Sequence, residues 1–518
     1  TDDIIMPLQL YYIQIQGRII NEELYLPIKA FNLENKIVLV LANMYLRGVN
    51  VDIEGWLNLY QKNKVLYEEL KAKLNTFIIT NYPKFTKPPD LFESELRCNI
   101  DWQSPKQVVD FVKHLGVCPL EKSIQTGKLE YTVGAKAVLK ILDNNYKEMF
   151  FAVKECEIKD TQTFLLNFLI LKRYQQLSTT FGKEWLEKYI HPLTNKVHCN
   201  FIQLMNTTRM SSTSPNMQQI PSGKEWRKLF ISGEGYNCIS TDFSAQEARV
   251  AAEVTEIKPL RDIFNFGHPI FKDDIHSMNA TNMFRIIKND NTFVCDKNIN
   301  KVERGIAKNM LFKLLFGGSE YTVALDLGVI LEEGTKFYNA FFDAYPGLKE
   351  NFEQAKKLGW IELDPITKAR YFYPHFQEMQ DSFKAAMSYY PEDYKTYTAE
   401  EKKEFKNVLY NEHPYVRDYW KTYGVLKGKL ERASLNYRIQ SLAAKQSKLV
   451  MLYLEENNTS LDEGLRLFVH DEAYDIWKKE NAIKRSEETL SFMQKSGTIF
   501  TPNVKAEGVS EIGDYWIH

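Results

Sequence analysis

The stretch “LFVHDEAYDIW”, residues 467–477, places three ionisable side chains inside a run that is otherwise apolar, aromatic and rich in β-forming residues. Its flanks predict two short strands, and His470, Asp471 and Glu472 stand at the tight turn between them. An isolated carboxylate is costly to bury, so these acids must be solvated, ion-paired or bound to a metal. Taken alone, the stretch favours a buried salt bridge at the tip of a β-hairpin.

The composition is that of a globular protein with several domains. The chain has 518 residues, which exceeds one ordinary hydrophobic core and predicts two to four domains or subdomains. Hydrophobic residues make up 44% and aromatic residues 13%, an ordinary balance enriched in Phe and Tyr. The net charge of −1 excludes a uniformly basic protein, so any surface for nucleic acid must be local.

The cysteines and the apolar runs indicate an intracellular protein outside the membrane. None of the six cysteines forms a CxxC pair, and none has the spacing of a zinc finger. The longest apolar runs, residues 36–46 and 164–171, are well short of the ~20 residues that a membrane-spanning helix needs. The N-terminus lacks the basic segment of a secretory signal. We therefore expect an intracellular location and no membrane partner.

A further acidic residue stands where a predicted strand passes into a predicted helix. In “YNCISTDFSAQEARVAAEV”, residues 236–254, the pattern changes from strand to amphipathic helix near Asp242. A carboxylate at such an edge projects into a cleft. If the fold unites Asp242 with Asp471, the pair can hold two divalent ions ~4 Å apart, the arrangement used for in-line phosphoryl transfer. The alternative is that each aspartate is an ordinary turn or cap residue.

A basic and aromatic stripe is predicted in “RGIAKNMLFKLLFGG”, residues 304–318. Helical spacing puts Arg304, Lys308, Phe312 and Phe316 at successive i, i+4 positions on one face. Two cations followed by two aromatic rings suit a triphosphate at one end and a stacked base at the other. The alternative is a solvated basic turn followed by two core phenylalanines.

In order, these segments resemble the signature motifs of family A DNA polymerases, the DNA polymerase I type. The polar segment “TTRMSSTSPNMQQIP”, residues 207–221, is otherwise readable as a flexible surface loop, but it is similar to TGRLSS-x-PNLQNIP. “TDFSAQEARVAA” resembles DYSQIELR motif A, and residues 304–318 resemble the R-x3-K-x3-F-x3-YG motif B. “RASLNYRIQSLAA”, residues 432–444, resembles R-x3-N-x3-Q, and “VHDE” resembles motif C. Five motifs in family order are far more specific than any one of them.

The resemblance implies an α+β fold of the right-hand polymerase type, with an antiparallel-sheet palm, helical fingers and a helical thumb. The implied domains are a lead-in segment packing on the palm (1–49), the thumb (50–188), a first part of the palm (189–260), the fingers (261–431) and a second part of the palm (432–518). An insertion near 378–430 is either a solvated helical addition or a contact for DNA or an accessory protein. No exonuclease pattern is visible, so we expect no proofreading by the chain as given.

The implied reaction is template-directed addition of deoxynucleotides to a primer 3′-hydroxyl, with release of pyrophosphate. The resemblance assigns two Mg²⁺ ions, which Mn²⁺ can replace, to Asp242, Asp471 and the backbone carbonyl of Phe243. Glu472 would be an auxiliary carboxylate. The implied partners are primer–template DNA and dNTPs, with an accessory replication protein as a further candidate, and a monomer is expected.

The resemblance also implies which residues contact nucleotide and DNA. Lys308 would hold the triphosphate and act as general acid to pyrophosphate, and Glu247 would be a steric gate against a ribose 2′-hydroxyl. The residues implied to bind the nucleotide are Arg304, Lys308, His276, Glu247, Phe312, Phe316 and Gln246. The residues implied to bind DNA are Arg209, Asn216, Gln219, Arg432, Asn436, Gln440, His470 and Lys128.

Three positions depart from the family's pattern. Lys313 stands where Gly is usual, Phe316 where Tyr is usual, and Gln219 where Asn is usual. Phe316 keeps the aromatic face but loses a hydroxyl, so stacking should survive without one hydrogen bond.

Two other function classes compete. A single-subunit RNA polymerase would share the aspartates and the basic helix. The gate residue Glu247 and the amide set implied to reach the DNA minor groove, which includes Gln440, argue against it. Retention of both aspartates and both cations argues against a non-catalytic DNA-binding relative.

Overall fold

The computed structural model describes residues 18–20, 23–25, 28–89, 96–122, 129–203, 205–221, 223–256, 258–272, 274–315, 318–327, 330–344, 347–456 and 458–517. The strands are β1 (Arg18–Ile20), β2 (Glu23–Tyr25), β3 (Val49–Asn50), β4 (Thr86–Lys87), β5 (Arg97–Cys98), β6 (Leu120–Lys122), β7 (Leu129–Tyr131), β8 (Lys196–Val197), β9 (Asn200–Ile202), β10 (Ser211–Thr213), β11 (Tyr236–Phe243), β12 (Trp360–Glu362), β13 (Arg370–Phe372), β14 (Gly464–Val469), β15 (Glu472–Lys478) and β16 (Gly508–Gly513).

Helices make up most of the remaining described structure. They are α1 (Ile28–Arg47), α2 (Ile53–Asn81), α3 (Pro105–His114), α4 (Ala135–Ile141), α5 (Asn144–Phe151), α6 (Thr161–Thr179), α7 (Lys183–Tyr189), α8 (Lys224–Arg227), α9 (Gln246–Thr255), α10 (Lys258–Phe266), α11 (Ile275–Lys288), α12 (Lys301–Leu315), α13 (Glu320–Leu327), α14 (Leu331–Ala344), α15 (Gly347–Leu358), α16 (Phe376–Met387), α17 (Ala399–Glu412), α18 (Tyr415–Glu455) and α19 (Lys479–Phe500). The chain divides into two compact units, Asn50–Val197 and the combination of Thr1–Val49 with His198–His518.

The unit Asn50–Val197 is built around two long helices, α2 and α6, which pack on one another. Asp52 begins α2 as its N-cap, because its side chain accepts a hydrogen bond of 2.9 Å from the Gly55 amide, as the sequence predicts. The apolar run of residues 164–171 lies in α6 and is buried throughout. These contacts form a separate hydrophobic core that includes Trp102, Phe111 and Phe164.

One helix of this unit was predicted wrongly in its extent. The sequence favours a single helix over about 159–188, whereas the structure divides it into α6 and α7 at Gly182. A Cβ atom at Gly182 would lie only 2.6 Å from the Ser178 carbonyl oxygen, so the chain turns where only glycine fits. The apolar periodicity continues across the break, which explains why it was missed.

The other unit contains a four-stranded antiparallel sheet in the order β14–β15–β11–β16. Long helices α18 and α19 pack on each other, and α19 also contacts β11 and β16. Side chains from both layers, among them Phe243, Met451, Phe468 and Met493, form a common core. The hairpin predicted from the opening stretch is confirmed as β14 and β15, and the strand-to-helix change near Asp242 is confirmed as β11 and α9.

A second core of this unit holds the basic helix in place. Leu260, Ile275 and Met310, from α10, α11 and α12, pack with Leu435 and Ile439 of α18. Burial of one stripe of α12 leaves its opposite stripe for other contacts, since side chains three and four residues apart share a face. The helix predicted over residues 304–318 is thus confirmed, with its described bounds at Lys301–Leu315.

The insertion near 378–430 is helical, which is compatible with both of its predicted alternatives. It comprises α16, α17 and the first part of α18. The sequence predicts a long helix over 432–454, whereas α18 already begins at Tyr415. Its own small aromatic cluster includes Tyr390, Phe405 and Trp420, and the Trp420 indole nitrogen donates a 3.0 Å hydrogen bond to the Tyr390 hydroxyl. Aromatic contacts between half-buried side chains of this kind let an added segment fold on a modest core.

The six cysteines are free thiols. Among the described helices, none combines the length and the apolar composition needed to cross a membrane.

Asp475 in β15 is a buried acid that should make stability depend on pH. Its side chain is fully buried, and burial raises its pKa to about 6 although Arg485 opposes the shift. Because the folded-state pKa is raised, the contribution to stability is complete below the ordinary pKa near 3.8 and is lost as pH rises through 6. We expect Asp475→Asn to gain about 1–1.5 kcal/mol more stability, relative to the parent chain, at pH 8 than at pH 5. Urea midpoints of both proteins at the two pH values measure this, and an equal difference at both would contradict it.

Candidate active site

The edge of the four-stranded sheet brings Asp242 and Asp471 together. Asp242 lies at the end of β11 opposite Glu472, the first residue of β15, in antiparallel register. The turn before β15 has only two residues, and His470 adopts a left-handed φ of 58°, a conformation that tight hairpin turns require. The Phe243 amide donates a 3.2 Å hydrogen bond to the Asp471 carbonyl, which fixes the turn against β11. Asp242 and Asp471, 229 positions apart in the sequence, are thus brought together by strand pairing.

The two carboxyl groups repel one another in a partly dry setting. Burial, together with the charges of Asp471 and Glu472, raises the pKa of Asp242 to about 7. Burial likewise raises the Asp471 pKa, and the two side chains share a hydrogen bond. Among the described residues no lysine or arginine forms an ion pair with either carboxylate, since Arg209 is paired with Glu247. The nearby charge of Arg209 lowers the Asp471 pKa only in part, so among these residues no direct ion pair neutralises either carboxylate.

The donor set fits a hard divalent cation. Two carboxylates and the neighbouring Phe243 carbonyl supply only oxygen, the ligand type that Mg²⁺ prefers. No group of three or more His, Cys, Asp or Glu side chains with metal-binding geometry occurs in the described part of the chain, so other oxygen atoms must complete the coordination. Mg²⁺ usually keeps several waters and takes substrate phosphates as ligands, so two protein carboxylates suffice.

Glu472 is held away from a ligand role by its own partners. The Trp516 indole nitrogen donates a buried 2.7 Å hydrogen bond to Glu472 Oε1, and Arg227 approaches Glu472 Oε2 at 3.6 Å. Arg227 also lies 3.5 Å from the centre of the Trp516 ring. Both partners come from distant parts of the chain, and sequence reasoning identified neither. The auxiliary role of Glu472 stays a prediction.

The aspartate pair opens onto a cavity of about 860 Å³. Of the residues predicted for the site, those that line the cavity are Arg209, Asp242, Phe243, Gln246, Glu247, His276, Arg304, Lys308, His470 and Asp471. Asp242 and Asp471 lie at the sheet edge, and the cations Arg304 and Lys308 come from α12, so one cavity joins groups for metal and for phosphate. Gln218, Ser447 and Lys448 line it as well and were not predicted.

Asp274 orients the basic side of the cavity and was missed from the sequence. Its carboxylate accepts two hydrogen bonds of 2.9 Å from Arg304, through Nε and Nη2. The same carboxylate accepts from the amides of His276 and Ser277, as an N-cap of α11 does. The available signal was “DIHS”, residues 274–277, an aspartate with a serine three residues on, which is typical of a helix start. A single acid thus sets both the helix start and the guanidinium plane.

His276 is neutral at physiological pH in this setting. Burial, together with the nearby charges of Arg304 and Lys308, lowers its pKa to about 4. A neutral imidazole keeps one donor and one acceptor nitrogen, so it can donate to a phosphate oxygen without adding charge.

Two predicted residues of α9, Gln246 and Glu247, form hydrogen bonds with other side chains or backbone of the protein. Glu247 forms an ion pair and a hydrogen bond with Arg209, which is partly exposed. Gln246 is buried, and its amide nitrogen donates to the Ala443 carbonyl at 3.1 Å and approaches Gln446 and Ser447 on α18. Gln246 thus anchors α9 to α18 beneath the cavity.

The remaining predicted residues lie outside the cavity lining or outside the described structure. Asn216 is half-buried and accepts from the Gln218 amide, whereas Gln219 is exposed. On α18, Arg432 is exposed, and Asn436 and Gln440 are half-buried. The predicted site residues that lie outside the described structure are Lys128, Phe316 and the side chain of Phe312.

Comparisons with known proteins connect this geometry to a family. The model of the family described as DNA polymerase family A matches residues 93–518. DNA polymerase I of Caldicellulosiruptor bescii is 28% identical over 325 residues, which are 61% of this chain and 32% of that protein. The thermostable DNA polymerase I of Thermus aquaticus is 24% identical over 476 residues, which are 91% of this chain and 46% of that protein.

A solved structure shows the same fold. It is the POL domain of Pol1 from M. smegmatis in complex with DNA primer-template and dNTP, with a TM-score of 0.66 and 22% identity over 93% of this chain and 70% of that chain. The predicted α+β right-hand polymerase fold is therefore confirmed. The chain spans about a third of the length of the first curated relatives it matches. Since the family model covers most of its length, this chain belongs to DNA polymerase family A.

Proposed function

We propose that this chain is a template-directed DNA polymerase that adds deoxynucleotides to a primer 3′-hydroxyl and releases pyrophosphate. The observation that carries the proposal is the cavity that joins the half-buried pair Asp242 and Asp471 to Arg304 and Lys308. Phosphoryl transfer needs oxygen ligands for metal at the attacked phosphate and cations at the leaving phosphates, and the cavity offers both.

Asp242, Asp471 and the Phe243 carbonyl would hold two Mg²⁺ ions, which Mn²⁺ can replace. When bound, these ions lower the pKa of the primer hydroxyl and neutralise charge on the reacting phosphate. The raised pKa of Asp242 supports this role, because an acid pair that resists ionisation alone ionises readily beside a cation. Strand pairing at the sheet edge also fixes the position of both half-buried aspartates before substrate binds.

The basic side of the cavity would bind and protonate the triphosphate. Arg304 presents a guanidinium whose plane Asp274 fixes, so the fork meets phosphate oxygens already oriented. Lys308 lies one turn further along α12 and lines the cavity, where it can donate a proton to the departing pyrophosphate. His276, neutral by burial, donates a further hydrogen bond.

The proposed DNA contacts lie beyond the cavity. Arg209, Arg432 and Gln440 would reach minor-groove acceptors near the primer terminus, which all correct base pairs share, so they test shape rather than sequence. Asn216, Gln219, Asn436 and Lys128 would place template and primer, and His470 would face the primer end. Phe312 and Phe316 would stack on the nascent pair. The unit Asn50–Val197 supports a thumb beginning at residue 50, and the palm and fingers would lie in the other unit. Monomeric state, an accessory protein and an intracellular location stay predictions.

The proposal is tested by extension of a labelled primer on a template, with dNTPs alone or rNTPs alone, in the presence of Mg²⁺. A DNA polymerase extends with dNTPs and releases pyrophosphate. Extension with rNTPs alone would indicate a single-subunit RNA polymerase, and DNA binding without pyrophosphate release would indicate a non-catalytic relative.

Glu247→Ala should weaken discrimination against ribonucleotides. The carboxylate occupies the cavity wall and is held there by Arg209, so its removal opens the space that a 2′-hydroxyl would need. We expect the ratio of kcat/KM for a dNTP over its rNTP to fall about 10- to 200-fold. Glu247→Gln, which keeps the volume, is the matched control and should retain most of the discrimination. An unchanged ratio in the alanine variant would contradict the gate.

A further inference from the structure

The first part of α18 continues the face that carries the implied DNA-binding residues. Every third or fourth residue of a helix falls on one face, and six such residues run along this helix at steps of four, four, three, four and four. We call them the α18 stripe: Lys421, Val425, Lys429, Arg432, Asn436 and Gln440. The first four are exposed, and Val425 retains 50% of its side-chain exposure. The stripe thus extends into the insertion by three turns beyond Arg432.

Charge is concentrated on this helix. Residues 415–432 carry five basic side chains and two acidic ones, whereas residues 378–412 of the same insertion carry five basic and eight acidic. Within the described chain Lys421 and Lys429 form no ion pair, although Asp418 lies three residues before Lys421. Lys427, on the opposite face, approaches Glu431 at 3.7 Å. The positive charge of the stripe is therefore available to an anionic partner.

Two glycines lie beside the stripe without a packing reason. A Cβ atom at Gly424 would meet nothing within 4 Å, and one at Gly428 would meet only the flexible end of Arg432, at 3.2 Å. Glycine inside a helix costs about 1 kcal/mol relative to alanine. Because they carry no side chains, the helix surface around Lys421 and Lys429 leaves room for the backbone of a bound partner to come close.

We propose that the α18 stripe extends the DNA track beyond Arg432, with Lys421 and Lys429 binding the sugar–phosphate backbone. This rests on the proposed polymerase function, which makes Arg432, Asn436 and Gln440 DNA contacts. Lys421 lies eleven residues before Arg432, about 16 Å along the helix. That distance corresponds to about five further nucleotides of DNA. DNA is favoured over an accessory protein because the stripe is continuous with the DNA-binding positions and carries unpaired lysines.

The test compares DNA binding by the parent chain, the double variant Lys421→Ala/Lys429→Ala and the control Lys427→Ala. Dissociation constants for a primer–template are measured over a range of salt concentrations. Two lost phosphate contacts should lower the slope of log Kd against log salt by about 1.8 and weaken binding about tenfold or more at 0.1 M salt. The kcat at saturating DNA should not change, and Lys427→Ala should resemble the parent.

Two series of DNA identify which part the stripe contacts. One shortens the duplex and the other shortens the single-stranded template overhang, each in steps down to the primer terminus. The difference in affinity between the parent and the double variant should vanish when either the duplex or the overhang is shortened to fewer than about five nucleotides from the primer terminus. An unchanged slope and affinity in both series would overturn the proposal, even if the parent extends primers normally. Weakened DNA binding by the double variant would sustain it even if the parent fails to extend primers, which would contradict the proposed function instead.

Discussion

Asp471→Asn should reduce primer extension by about three orders of magnitude or more while leaving DNA affinity within about twofold. Asparagine has nearly the volume of aspartate, so the hairpin turn and the Phe243 amide contact to the Asp471 carbonyl are preserved. The variant removes one of the two charges that a divalent cation requires at this sheet edge. Asp242→Asn should have the same effect, since the two carboxylates act as one site.

The measurement is single-turnover incorporation of one dNTP, with DNA affinity followed by fluorescence anisotropy. Glu472→Gln is the matched control. Glu472 is the adjacent acid, but it contacts Trp516 and Arg227 and does not line the cavity. We expect a loss of less than about tenfold for that variant, since it keeps a hydrogen-bond acceptor for Trp516. Extension at the parent rate by Asp471→Asn would refute the metal assignment.

The backbone elements that build the site were largely predictable from the sequence. Alternation of apolar residues around a polar turn predicts β14 and β15, and the change of period near Asp242 predicts β11 followed by α9. The i, i+4 spacing of Arg304 and Lys308 predicts α12. These signals are local, and local periodicity survives in the folded chain wherever one face of an element is buried.

Contacts between distant residues were not predictable from spacing. Trp516 reaches Glu472 through the pairing of β16 beside β11, and Asp274 reaches Arg304 through the packing of α11 on α12. Neither pair has a sequence pattern that links its members. The early start of α18 was missed for a different reason, because Gly424 and Gly428 lower helix propensity in a polar segment while the aromatic cluster around Trp420 stabilises it.

Lys308→Ala should lower the rate of nucleotide incorporation about 10²- to 10³-fold at saturating dNTP. Lys308 lines the cavity beside Arg304 and His276, and no other lysine of α12 does so. Its loss removes both a charge that binds the triphosphate and the proposed proton donor to pyrophosphate. Rapid-quench measurement of single incorporations over a range of dNTP concentrations separates the rate from the apparent affinity for dNTP.

Two variants separate charge from proton donation. Lys308→Arg keeps the positive charge but is a poor acid, because a guanidinium stays protonated in proteins. We expect it to keep the apparent dNTP affinity within a few-fold while the rate stays low. Lys301→Ala is the matched control, since Lys301 is exposed two turns earlier on α12 and does not line the cavity. It should behave like the parent chain. A full rate in Lys308→Arg would show that Lys308 contributes charge alone, and a full rate in Lys308→Ala would remove it from the site.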